Sequence, residues 1–318
     1  MSTVELIRAA AVADGLLVAG APVVTLVSGG RDSTCLLDLA VAVSGPQAVR
    51  ALHVDYGLRG ADSVADADHC RALAATLGVD FELVQAGPPA GGNLQAWARA
   101  LRYQAASELA GEGAIAAGHT ADDQVETILY RLASSPSRRA LLGMRPRDGQ
   151  LLRPLLGFTR AQVTDYCRER GLPWREDLSN AGDAYARNRI RNHLRPALRE
   201  VHPAAERNLL ALAEILRDEA DALDGLVTEA LRGGSEIRLA ALRGLPVGVG
   251  RLVVQRLADE AAAGPAAGVA RRLDEILAMR DTGVAHLDLP HRVRATATDG
   301  VLRFAMTPRS GRRVAASL

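Results

Sequence analysis

The hexapeptide Ser28-Gly29-Gly30-Arg31-Asp32-Ser33 has the makings of an anion cradle. Its glycines let the backbone turn tightly and bring N–H groups close to a negative ligand. A helix starting at its end adds partial positive charge. The hydroxyls of Ser28 and Ser33 can donate to phosphate oxygens. It is not a Walker A loop, because that motif needs a Lys and the chain has none, and it is not GxGxxG. As bare structure, the same residues would make a tight turn capped by Ser and Asp. A second constellation is Gly118-His-Thr-Ala-Asp-Asp-Gln-Val-Glu-Thr127. Thr120 suits a helix N-cap, with Asp123 three residues on. At helical spacing His119, Asp123 and Glu126 share one face, with Val125, Ile128, Leu129 and Leu132 roughly opposite. Two carboxylates on one face can hold Mg²⁺ or a substrate ammonium. Asp122 needs no such role, since it complements the helix dipole.

Arginines form a third group. Arg99 and Arg102 lie in Asn93–Tyr103 beside two aromatics. Arg187, Arg191 and Arg195 recur at i, i+4 and i+8, a stripe that either solvates a helix or grips phosphates before Pro196 ends or kinks it.

These residues need a scaffold that presents loops at one edge. Residues 22–27 are short, β-branched and bounded by Gly, which predicts a buried strand. A helix from Asp32 to Val43 follows, then a strand over 48–54, a helix around 65–77, a strand over 80–84, a helix over 97–109 and a short strand over 114–117. Such alternation predicts a doubly wound, mostly parallel α/β sheet. Ligands on such sheets bind beyond the carboxyl ends of the strands, where Gly29-Gly30 and Gly118-His119 fall. Residues 155–195 read as helices with turns. Leu209, Leu212, Leu216, Leu223 and Val227 mark a long helix, two further helices fit 248–262 and 268–279, and residues 284–306 alternate like strands around Asp299-Gly300. The expected domains are residues 1–205 and a smaller helical and β region, 206–318.

Of the 318 residues, 48% are hydrophobic and 24% charged, an ordinary globular balance. No run of eighteen apolar residues predicts a membrane span, and Glu5, Arg8 and Asp14 interrupt any signal-peptide core, so a cytoplasmic protein is expected. Cys35, Cys70 and Cys167 form no CxxC pair and read as small buried residues. A net charge of +1 hides an asymmetry: residues 1–130 carry 7 Arg against 15 acids, and residues 131–207 carry 16 Arg against 8. The middle block is a candidate polyanion surface, and its all-Arg donors suit phosphate.

In order along residues 20–200, the chain resembles tRNA(Ile)-lysidine synthetases at Ser28–Ser33, His53–Arg59, Asn93–Tyr103, His119–Thr127, Arg153–Leu156, Asp177–Asn180 and Arg187–Arg191. The loop alone marks the wider superfamily of pyrophosphate-loop ATPases, with its adenine nucleotide α-hydrolase-like fold. The acidic segment is far more selective. The resemblance implies a two-step reaction. ATP adenylates the wobble cytosine of a CAU-anticodon isoleucine tRNA, and free L-lysine then displaces AMP to leave lysidine. It further implies that Ser28, Gly29, Gly30, Arg31, Asp32 and Ser33 bind the phosphates, with Asp32 near Mg²⁺. Arg99 and His119 would support adenylation, Asp123 and Glu126 would bind the lysine amine, and Arg191 would sit near the phosphates or the adenylated base. Assembly is left open, a homodimer being among the alternatives.

Two departures stand out: Tyr56 replaces a family His, and Arg131-Leu-Ala-Ser-Ser-Pro-Ser137 stands where the family has Arg-Gly-Ser-Gly. The rival readings are a tRNA thiolase, a small-molecule amidating synthetase and a non-catalytic nucleotide-binding module.

Overall fold

The structure, a computed structural model, describes residues 1–87, 89, 92–134, 140–176 and 185–307. Two compact units divide the chain, Met1–Glu214 and Ile215–Leu318.

In the first unit, helix α1 (Thr3–Ala13) precedes strand β1 (Val23–Leu26), helix α2 (Arg31–Ser44), β2 (Val49–Asp55), α3 (Ala61–Thr76), β3 (Asp80–Gln85), α4 (Leu94–Ala110), β4 (Ala114–Ala116) and α5 (Ala121–Ser134). The hairpin β5 (Arg147–Asp148) and β6 (Leu151–Leu152) follows, then α6 (Arg160–Glu169), α7 (Ala186–Arg189), a π-helical turn Ile190–Leu194 and α8 (Arg195–Val201). Helix α9 (Ala205–Leu231) begins here and continues into the second unit.

The sheet runs β3-β2-β1-β4-β6-β5, parallel except for β5. Alternating side chains sort its residues between two covered faces. Val23, Ala51 and Ala116 pack with Leu36, Leu37, Leu73 and Tyr166 from α2, α3 and α6. Val24, Leu52 and Ile115 pack with Ala106, Leu101 and Leu109 of α4. This is the expected doubly wound sheet. Strand order reverses at β1, which pairs with β2 on one side and β4 on the other. The crevice beyond the carboxyl ends of β1 and β4 is therefore the topological switch point.

The second unit holds a sheet β7-β10-β9-β8, antiparallel throughout: β7 (Glu236–Arg238), β8 (Val284–Asp288), β9 (Val293–Thr298) and β10 (Val301–Met306). Helices α10 (Leu239–Arg243), α11 (Val247–Ala261) and α12 (Leu273–Leu277) share its core through Leu242, Val253, Leu257 and Ile276.

Several expectations change. Helix α1, the β5–β6 hairpin, β7 and α10 were not expected. The long helix buries Ala213, Ala220 and Val227, while Leu212 is exposed. Of the expected stripe, Val227 is buried, Leu209, Leu216 and Leu223 are half-buried, and Leu212 alone is exposed. In α5, Leu132 is exposed, whereas residues 124–128 are all buried. That helix is covered on more than one side, so its polar face is not a solvent face.

Candidate active site

The loop after β1 folds back on itself through its serines. The Ser28 N–H donates to Ser33 Oγ at 3.1 Å, the two hydroxyls lie 3.2 Å apart, and Ser33 Oγ donates to the Gly30 carbonyl at 2.9 Å. Gly29 has φ +81°, and a Cβ there would meet Cys70 Sγ and His69 Cδ2 at 3.5 Å. The positive φ explains the glycine, since a Cβ at 3.5 Å would make only ordinary van der Waals contacts. Gly30 then opens α2, so the first N–H groups of that fourteen-residue helix face the loop.

The segment after β4 arrives beside it. Register pairs Val23 with Ala114 and Thr25 with Ala116, which brings both loops out side by side. A Cβ on Gly118 would lie 2.9 Å from the Asp32 carbonyl oxygen, so only glycine permits this approach. His119 and Thr120 precede α5 rather than sharing its face. The Thr120 N–H and hydroxyl both donate to Asp123 Oδ2 at 2.9 Å. Asp123 thus uses one oxygen to fix the helix start and keeps the other for the site.

Arginines take up the remaining carboxylate oxygens. Arg191 grips Glu126 with two bonds, Nε to Oε1 at 2.7 Å and Nη2 to Oε2 at 3.0 Å. Arg195 donates to Glu126 Oε1 at 3.3 Å, to Asp122 Oδ1 at 2.6 Å and to Glu206 Oε1 at 2.8 Å. Arg160 reaches Asp123 Oδ1 at 2.8 Å, Glu126 Oε1 at 3.4 Å and Asp32 Oδ2 at 3.6 Å. Glu126 is only 3% exposed in its side chain, as expected of a carboxylate enclosed by cations.

Sequence reading missed Arg160 and the depth of Arg195, whose side chain is 4% exposed. The Arg stripe is corrected too. Residues 186–201 are not one α-helix, because the π turn at Ile190–Leu194 interrupts the i, i+4 spacing. Arg187 is exposed, whereas Arg191 and Arg195 turn to the acidic cluster. Pro196 does not end a helix; it lies in the first turn of α8, directly after the π turn that breaks the α-helical ladder. Arg138, Arg139, the Ser135–Ser137 departure and Asp177–Asn180 lie outside the described residues.

Electrostatics separate the roles. Burial pushes the Asp32 carboxyl up, and Arg31 and Arg160 offset only part of that. Burial also tends to raise Asp122, but the Arg160 N–H and the Arg195 side chain overcome it and hold it low. His119 is pushed down to about 4 by burial, with Arg153, Arg102 and Arg99 adding to the effect against Asp123. It is therefore a neutral imidazole at pH 7, and its buried Nδ1 has no hydrogen-bond partner among the described residues. Arg99 and Arg102 lie over the Tyr103 ring at 4.7 and 5.6 Å from its centroid. Tyr56, the departure from the family His, meets Trp97 edge-on and donates to the Ala98 carbonyl at 3.1 Å.

Asp32 suits a magnesium ion. It is a partly exposed carboxylate whose burial is incompletely compensated, beside an anion cradle, and Mg²⁺ commonly takes one or two carboxylates plus substrate phosphates. Among the described residues no cluster of three or more His, Cys, Asp and Glu is placed to hold a metal ion. Cys35, Cys70 and Cys167 are buried free thiols, and burial with nearby Asp66 pushes Cys70 up to about 12. No helix among the described residues is long and apolar enough to cross a membrane.

A family model described as a PP-loop domain matches residues 10–198. A tRNA(Ile)-lysidine synthase of Solibacter usitatus is 41% identical over 76% of this chain and 57% of its own length. One of Thermobifida fusca is 36% identical over 89% of this chain and 91% of its own length. The chain thus spans little more than half of the Solibacter protein. A U34-tRNA thiolase of Methanococcus maripaludis, solved with its iron–sulfur cluster, shares the fold, with a TM-score of 0.55 at 15% identity over 68% of this chain and 80% of its own.

Proposed function

The chain belongs to the tRNA(Ile)-lysidine synthase family of PP-loop proteins, and from that premise we propose that it converts the wobble cytidine of a CAU-anticodon isoleucine tRNA to lysidine in the cytoplasm. In the first step the carbonyl oxygen at C2 of cytosine attacks the α-phosphorus of ATP, and pyrophosphate leaves. In the second the ε-amine of lysine attacks C2. The C2–N bond forms, AMP departs with the former carbonyl oxygen, and the amine loses a proton.

Ser28, Ser33 and the N–H groups opening α2 hold the phosphates. Asp32 is the residue that fits Mg²⁺, which when bound offsets the charge of the leaving pyrophosphate. Arg99 and neutral His119 support adenylation. An imidazole that stays uncharged can donate or accept one hydrogen bond at the reacting base without adding a cation. Asp123 and Glu126 bind the lysine ammonium, and a carboxylate of this pair accepts its proton before attack. Arg191 attends the phosphates or the adenylated base.

The observation that supports this most is that one guanidinium, that of Arg160, touches both the loop carboxylate Asp32 and the pair Asp123 and Glu126. The glycine-rich loop and the acidic helix therefore lie within one side chain's reach. Deeply buried thiols, one of them raised to about 12, do not suit the thiolase alternative. Pyrophosphate release with CAU-anticodon isoleucine tRNA and ATP, and turnover only on adding lysine, is the expected behaviour. Release without any tRNA requirement would contradict it.

A further inference from the structure

Arg160 has no role in the two-step scheme, yet it occupies the centre of the site. Thr159 and Gln162 close a reciprocal cap at the start of α6, Thr159 Oγ1 accepting from the Gln162 N–H and Gln162 Oε1 from the Thr159 N–H. The Arg160 N–H donates to Asp122 Oδ2 at 2.8 Å. Backbone ties therefore fix where the residue starts, independently of where its side chain points. That side chain is 21% exposed and ends among Asp32, Asp123 and Glu126. Its shortest contact, 2.8 Å, is to Asp123 Oδ1, the oxygen that the helix cap leaves available.

An ammonium binding to Asp123 and Glu126 needs the oxygens that Arg160 holds. With Arg160, Arg191 and Arg195 around them, these carboxylates are already compensated and offer a second cation little attraction. A nucleotide in the neighbouring loop alters that balance. Phosphate oxygens match the planar guanidinium fork as well as carboxylates do, and a triphosphate carries several charges where Asp32 carries one.

We infer that Arg160 is a positioning residue that couples the two substrates, closing the amine-binding carboxylates to free lysine while the phosphate loop is empty and releasing them when nucleotide fills it. The inference rests on the assignment of Asp123 and Glu126 to the lysine amine. Turning from α5 to the phosphates leaves Asp123 Oδ1 without its 2.8 Å partner, and Glu126 Oε1 without one of its three cationic neighbours. The incoming ammonium replaces that charge. Lysine held back in this way is not bound before an acceptor can form. Coupling of this kind is reciprocal, so lysine tightens nucleotide binding by the same factor.

The test is calorimetric titration of lysine into the tRNA-bound protein with Mg²⁺, with and without an ATP analogue that cannot release pyrophosphate. Wild type, Arg160→Gln and Arg160→Lys are compared. The analogue is expected to tighten lysine binding in wild type by roughly 5- to 150-fold, the usual span of such coupling. In Arg160→Gln lysine binds with the same affinity in both conditions, near that of wild type with analogue. Arg160→Lys, which keeps the charge without the fork and guards against a folding failure, retains part of the ratio. A wild-type ratio in folded Arg160→Gln overturns the inference and leaves the amine site standing. Loss of lysine binding from folded Arg160→Gln in both conditions overturns it as well, because the arginine would then be only a strut. Absence of lysine binding from wild type in every condition removes the amine site itself.

Discussion

Gly118 meets the backbone of Asp32 so closely that a Cβ would lie 2.9 Å from its carbonyl oxygen and 3.2 Å from the Ser33 nitrogen. This contact sets the distance between the phosphate loop and the acidic helix. Gly118→Ala must push one away from the other. It is expected to cost about 1–3 kcal/mol of stability, as overpacking commonly does, and to weaken ATP binding beyond what that loss explains. Thermal unfolding and nucleotide titration check this. Unchanged affinity would show that the contact only packs.

Asp32→Asn should abolish pyrophosphate release, by about 100-fold or more if the carboxylate acts on charge developing in the transition state. The fold should not suffer. A carboxyl raised above its ordinary range by burial costs stability at neutral pH, so removing its charge leaves the thermal midpoint at or above that of wild type. A lowered midpoint together with full activity would contradict both halves.

His119 predicts a pH dependence. Its folded value of about 4 lies below the ordinary 6.5, so the unfolded chain binds more protons between those values. The stability it contributes is complete above pH 6.5 and is lost as pH falls through 4. The imidazole resonance that disappears in His119→Asn should titrate near pH 4 in wild type, and the variant should lose less stability over the same window. Titration near 6.5 would remove the neutral-imidazole role.

Asp123 and Glu126 differ as targets. Glu126 neutralises three guanidinium groups in a nearly closed space, and Glu126→Gln is expected to cost about 3–5 kcal/mol, as breaking a buried pair does. Asp123, 22% exposed, is the cleaner probe. In Asp123→Asn the adenylated tRNA should still accumulate without lysine, and the lysine concentration for half-maximal turnover should rise at least tenfold. If no adenylate can be trapped, Asp123 belongs to the first step.

Arg187 is the exposed member of the basic stripe, and Arg153, Arg99 and Arg187 help burial to hold Arg131 below the usual arginine range. Arginines crowded in this way, with Asp148 offsetting only part of the effect, suit a polyanion. Arg187→Ala should reduce the magnitude of the salt slope of tRNA binding by about one unit. An unchanged slope would place the phosphates elsewhere.

The loop and the acidic segment were legible in sequence because their chemistry is local: glycines at one turn, and carboxylates three residues apart. Strand and helix alternation gave the sheet for the same reason, since short β-branched runs and the helical segments between them are written in short windows. The partners of those carboxylates were not legible. Arg160 and Arg195 come from 34 and 69 residues beyond Glu126, and only the folded chain brings them together. Arg191 and Arg195 read as a stripe that either solvates a helix or grips phosphates, and neither alternative contains the carboxylates to which they turn beyond the π turn. Gly118 gave no sign of its contact with Asp32 either, since a close approach of two loops leaves its trace in space and not in spacing.

Mass spectrometry of nucleosides from CAU-anticodon isoleucine tRNA, after incubation with the protein, ATP, Mg²⁺ and L-lysine, reads out the proposed reaction itself. Lysidine should replace cytidine at the wobble position, only when both ATP and lysine are present, and not with Asp32→Asn. Unmodified cytidine under complete conditions with folded protein, or a thiolated nucleoside in its place, would contradict it.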